Sequence, residues 1–198
     1  MFSILRRNFW ILSLFGAAYA GFGQPVNPSP AEHVVVVVWD GMRPDFVSPQ
    51  YCPNLYSLAT NGVFFRRHHS AYISSTEVNG AAIATGANPG RNRILANSAY
   101  EPELNLLSSV ATEGVDTIRR GDALSGGHYI MVPTAAEVLQ GAGFPTIIAG
   151  SKLVAQFHDR SRVKTTPAQK KSVTLYEGKT IPRDLAESLK KVNDDKAF

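Results

Sequence analysis

Five consecutive valines constrain this chain more than any other feature. Residues His33 to Trp39 read His-Val-Val-Val-Val-Val-Trp, and β-branched side chains stiffen the backbone toward extended conformations. The run does not alternate apolar with polar. That pattern predicts a strand covered on both faces, as at the centre of a parallel sheet. The run ends at Asp40-Gly41, so a carboxylate is expected at the carboxyl end of a buried strand, where open α/β folds bind ligands.

The pattern downstream alternates helix and strand. Pro53–Asn61 predicts a helix with Leu55, Leu58 and Ala59 on one face and Gly62 at its end. Val63–Phe65 predicts a returning strand, and Thr76 opens a short helical stretch closed near Gly86. The stretch 87–128 is rich in Gly, Asn and Ser and has little periodicity, which predicts an irregular insertion. Thr134 and Glu137 form a capping-box pattern, so a helix should run from there to about Ala142, followed by a strand at Thr146–Ala149. Val173–Tyr176 predicts another strand. Pro182 suits a first helical position, and Leu185, Leu189 and Val192 mark a helical stripe. The expected class is α/β, a sandwich of helices on a mostly parallel sheet.

Residues 1–20 stand apart. Arg6 and Arg7 precede an apolar run from Phe9 to Ala20 that ends in Ala18-Tyr19-Ala20, the layout of a secretory signal peptide. The run is shorter than the about 20 residues a membrane span needs, so no stable membrane span is expected. Residues 21–31 predict a leader, and 32–198 the domain proper. The expected location is therefore exported, periplasmic or secreted. The chain carries 20 basic and 16 acidic side chains, and 18 against 16 without Arg6 and Arg7. So small an excess, with no basic run interleaved with aromatics, gives no indication of nucleic-acid binding. Cys52 is the only cysteine and cannot form an internal disulfide.

Three residues carry a chemical proposal. Singly, Asp40-Gly41 reads as a turn, Thr76 as a helix N-cap and Asn79 as a solvated helical residue. Together they suggest more. A threonine hydroxyl needs a base or a metal to become a nucleophile. Asp40 is placed to hold a divalent cation that would bind and activate Thr76. The start of a helix suits a phosphate, and Asn79, three residues on, shares the face of Thr76 and has an amide to donate to a phosphoryl oxygen.

The chain resembles the type I phosphodiesterases and nucleotide pyrophosphatases of the alkaline phosphatase superfamily. The resemblance is carried by Val-Val-Trp-Asp40-Gly41-Met-Arg43-Pro-Asp45 and by Cys-Pro53-Asn54-Leu55-Tyr-Ser-Leu58-Ala59-Thr-Asn-Gly62-Val63. It continues in Ser-Thr76-Glu-Val-Asn79-Gly and in Ala84-Thr85-Gly86-Ala-Asn-Pro89 through to Asn97. It implies an alkaline phosphatase-like α/β/α sandwich, here incomplete. It further implies Asp40 as a metal ligand, Thr76 as nucleophile and metal ligand, and Asn79 as a phosphate contact. The cofactors implied are two divalent metal ions, with zinc the expected identity, and the substrate a small phosphate ester.

Two departures qualify this. The family usually reads Thr-Phe-Pro-Asn-His where this chain reads Thr-Glu-Val-Asn-Gly, so Glu77 replaces an apolar residue and a nucleotide preference is not implied. The family's later Asp-x-x-x-His and Asp-His metal-ligand patterns have no counterpart here. His68 and His69 are expected to point to opposite faces of a strand end, and His158 and Asp159 to be structural or superficial. Lys152 resembles a family glycine–lysine turn that could face substrate phosphate. The simplest account is the N-terminal part of a longer enzyme, inactive alone. A non-catalytic exported binding module on the same scaffold is the alternative, and a sulfatase-like hydrolase is disfavoured because Ser74-Ser75-Thr76 lacks that family's Pro and Arg. Oligomeric state is left open.

Overall fold

The structure is a computed structural model and describes residues 31–193; the expected signal peptide and most of the leader lie outside them. The chain divides into an N-terminal unit that ends at Met42 and a larger unit that begins at Arg43.

In the N-terminal unit Val34–Val38 form no strand, and each of these valines is between 57% and 83% exposed. The expected central buried strand is therefore not observed. β-Branching biases a segment toward extension, but a strand also needs ladder partners and a covered face.

The larger unit is mixed α/β with small sheets. Helix α1 spans Pro53–Asn61, α2 Thr76–Thr85, α3 Pro89–Asn92, α4 Val115–Ser125, α5 Ala135–Gly141, α6 Pro167–Lys171 and α7 Leu185–Val192. Strands β1 (Ser98–Ala99) and β2 (Val110–Ala111) make a short antiparallel pair. Strands β3 (Ile147–Gly150), β4 (Val173–Tyr176) and β5 (Lys179–Ile181) form a sheet in that order, β3–β4 parallel and β4–β5 antiparallel.

Several expectations hold closely. α1 begins at Pro53, after Cys52 at its N-cap. α5 starts with the capping box: Glu137 N–H donates to Thr134 Oγ1 at 3.2 Å, and Thr134 N–H to Glu137 Oε2 at 2.7 Å. β3 lies one residue later than expected, and β4 falls as read. Other expectations fail. Val63–Phe65 form no strand and are exposed. The stretch 87–128 contains the eleven-residue α4. α7 begins at Leu185 rather than Pro182, because Thr180 Oγ1 donates to the carbonyls of Pro182 and Arg183 and turns the chain first.

The core has two clusters. Ala81 and Ala84 of α2 pack with Ile94, Ile118, Ile130 and Phe157, and Tyr129 and Val154 lean on that group. Ala155, Tyr176 and Ile181 form the second, supported by Val115, Ile148 and Leu153. A 3-10 helix at Leu153–Phe157 supplies residues to both. It therefore couples the sheet to α2. Close approach there depends on Gly80, since a Cβ at that position would collide with Val154 Cγ2.

Candidate functional site

Asp40 belongs to the N-terminal unit, where it is exposed in a turn. Thr76 and Asn79 belong to the larger unit and share α2. Those two are the candidate residues that one element brings together.

The start of α2 is set by local chemistry. Ser75 is the N-cap, in extended conformation (φ −129°, ψ 162°), so Thr76 is the first helical residue rather than the cap. Asn79 N–H donates to Ser75 O at 3.0 Å, the first bond of the helix. The far end is closed by Gly86 in the left-handed region at φ 64°, which glycine adopts without steric cost. Thr76 itself is half-buried.

Asn79 is half-buried and hydrogen-bonded, not a solvated helical residue. Its Oδ1 accepts from Ala71 N–H at 2.8 Å, and its Nδ2 donates to Ser75 O at 3.0 Å and to Ala71 O at 3.4 Å. One side chain thus fixes both ends of the segment that leads into Thr76. Asn97, the last residue of the motif quoted above, accepts at Oδ1 from Glu77 N–H at 3.4 Å. It occupies one of the donors that a helix start leaves unpaired.

Glu77 is only 5% exposed. Glu113, between β2 and α4, turns its carboxyl toward it. Burial, the Glu77 charge and hydrogen bonding to Glu77 push Glu113 up to about 7, against the pull of the Val154 N–H and the Lys152 ammonium. Glu113 carries no local sequence signal and was missed in the reading above. It lies in the stretch expected to be irregular.

The other expected residues fall outside this cluster. His68 and His69 are exposed and lie in no strand. His158 is half-buried, and burial pushes its imidazole below the usual histidine range. Asp159 is buried and structural, accepting from Gln140, Ser161 and Lys164. Lys152 caps the 3-10 helix and faces Glu113 electrostatically. Among the described residues no group of three or more His, Cys, Asp or Glu side chains can hold a metal. Catalytic zinc usually takes three protein ligands per ion, so these residues do not by themselves make the two-metal centre that the resemblance implies. No helix of the described residues is long and apolar enough to cross a membrane.

Comparison with known proteins finds relatives and a family. Bis(5'-adenosyl)-triphosphatase ENPP4 of Homo sapiens and its counterpart in Mus musculus are each 28% identical to this chain over 91 residues, which cover 46% of this chain and 20% of theirs. The chain thus spans about a fifth of the length of these curated relatives. No solved structure matches. Residues 34–165, about two thirds of the chain, match the type I phosphodiesterase / nucleotide pyrophosphatase family. That span includes Asp40, Thr76 and Asn79, and the chain belongs to this family.

Proposed function

We propose that the protein to which this chain belongs is an exported phosphoesterase with Thr76 as its nucleophile. The observation that carries the reading is the position of Thr76: first residue of a ten-residue helix, inside the family-matched span, with its approach segment pinned by Asn79. Family membership supports reading the protein as a phosphoesterase hydrolase. Bis(5'-adenosyl)-triphosphatase is the printed activity of the relatives, and a nucleotide-like phosphate ester is accordingly one substrate class to test.

In this reading Thr76 Oγ attacks phosphorus, the bond from phosphorus to the leaving oxygen breaks, and the hydroxyl proton ends on the departing alcohol. A covalent phosphothreonine remains, and water then hydrolyses it. The N-terminal dipole of α2 favours the negative charge that develops at its mouth. Asn79 holds Ser75 O and Ala71 N–H, and so fixes the backbone that leads into Thr76. The family is generally metal-dependent, and Asp40 and Thr76 are this chain's proposed metal-facing oxygens, with zinc the proposed ion. The scaffold proposed is the alkaline phosphatase-like sandwich. Export rests on the Arg6-Arg7 and Phe9–Ala20 pattern.

Replacing Thr76 with alanine in the full-length protein to which this chain belongs tests this. Loss of the attacking oxygen should lower kcat by more than about 10³-fold with folding unchanged. Mass spectrometry after a rapid acid quench should find phosphate on the wild-type peptide that contains Thr76. Near-wild-type turnover by Thr76→Ala would refute the assignment.

A further inference from the structure

The first turn of α2 has no cap of its own. Ser75 stands at the N-cap but makes no side-chain bond to that turn, so the donors of a helix start are left to other partners. One of them, the Glu77 N–H, donates to Asn97 Oδ1, twenty residues on, at 3.4 Å. Glu77 N is bonded to the carbonyl carbon of Thr76, so Asn97 holds the peptide group that directly follows the proposed nucleophile. At that length the bond is weak, and Asn97 is exposed, where water competes for the same donor. Its geometry therefore depends on how firmly the backbone of Asn97 is held.

Thr112 holds it. Asn97 lies just before β1 and Thr112 just after β2, so the two continue the antiparallel pair by one step. Thr112 N–H donates to Asn97 O at 3.0 Å. Its Oγ1 donates to Ala96 O at 2.9 Å and lies 3.2 Å from Asn97 O, so one hydroxyl hydrogen serves two neighbouring carbonyls. Thr112 O accepts from the Tyr129 hydroxyl at 3.0 Å, and Tyr129 leans on the core cluster that contains Ala81 and Ala84 of α2. At 1% exposure Thr112 is closed to water, so these bonds have no solvent substitute.

We propose that Thr112 is a positioning residue for Thr76. Its hydroxyl fixes the Ala96–Asn97 backbone, which sets Asn97 Oδ1 on the Glu77 N–H and so holds the first turn of α2. The catalytic meaning of that brace rests on the nucleophile reading above; the brace itself does not. The hydroxyl matters here more than the shape. Valine has nearly the outline of threonine but no donor, and serine keeps the donor without the methyl.

Amide exchange and kinetics of the full-length protein test this against a matched control. Thr174 is as deeply buried as Thr112 and donates its hydroxyl to Asp159 O at 2.8 Å, from a strand that pairs with neither β1 nor β2. Thr112→Val should speed exchange of the Glu77 amide by about fivefold. It should also lower kcat by about 10- to 100-fold, with KM within about twofold of wild type. Thr112→Ser should restore both readouts. Thr174→Val should lower Tm and leave both unchanged, as a merely structural threonine would. Glu77 exchange in Thr112→Val equal to wild type would overturn the proposal. With Thr76→Ala inactive, so would a kcat for Thr112→Val no lower than that of Thr174→Val. If Thr112→Val does not fold, Asn97→Ala at its exposed position decides, and a Glu77 amide as protected as in wild type overturns the brace. An active Thr76→Ala would sink the nucleophile reading alone, because the exchange contrast between Thr112→Val and Thr112→Ser judges the brace without it.

Discussion

Asn79→Ala separates a clamp from a solvated helical residue. The side chain makes two well-formed bonds, from Ala71 N–H at 2.8 Å and to Ser75 O at 3.0 Å, and a longer one to Ala71 O at 3.4 Å. At about 1 kcal/mol net each, the two good bonds contribute about 2 kcal/mol. Alanine returns about 0.6 kcal/mol through its better helix propensity. The expected loss is about 1.5 kcal/mol, equivalent to about 3–6 °C in Tm for a chain of this size. Urea unfolding of the full chain measures it, and a loss below about 0.5 kcal/mol would refute the clamp. A rate effect is separable from this. Both Nδ2 hydrogens are engaged, so donation to a phosphoryl oxygen requires the 3.4 Å bond to open, and that is the weakest of the three. If Asn79 donates in this way, Asn79→Ala should lower kcat by about 10²–10³-fold. A loss under about threefold would leave Asn79 a clamp only.

Lys164→Met should cost about 3 kcal/mol at pH 7, since Lys164 Nζ sits 2.6 Å from Asp159 Oδ2 and the two side chains are 8% and 1% exposed. Urea unfolding at pH 7 checks this, and a loss under about 1 kcal/mol would refute it. His158 works in the opposite sense to Glu113: burial lowers its imidazole, so the unfolded chain binds that proton first and stability from this group is lost as pH falls below about 6.5. His158→Gln should therefore flatten the acid limb of Tm against pH, and identical limbs for variant and wild type would contradict the assignment.

Sequence made legible those elements whose ends are closed by their own residues. α2 stops where a glycine enters the left-handed region, and α5 starts where Thr134 and Glu137 satisfy each other's backbone donors. Both are short-range events, and a single sequence contains all their participants. α4 is the opposite case. Its Gly121 looks like a helix breaker, but a Cβ there would collide with the Tyr129 ring, so the residue that weakens the local signal is required by the packing. The valine run fails for a related reason. Propensity describes the backbone of one segment, whereas a strand is a relation between two.

The site divides along the same line. Thr76 and Asn79 are proposed because, with Asn97, they lie in one ordered motif, and Glu77 is legible as a departure from it. What Glu77 requires is not legible. A carboxylate buried in the first turn of a helix needs partners, and Glu113 faces it from an element distant in sequence. Glu113 has no motif around it, and its own carboxyl is ordinary until α2 packs against the 3-10 helix through Gly80 and Val154. The departure at Glu77 therefore has a cause that only the tertiary structure contains. The helix that carries the proposed nucleophile thus buries a carboxyl group at position 77, where the family usually has an apolar residue.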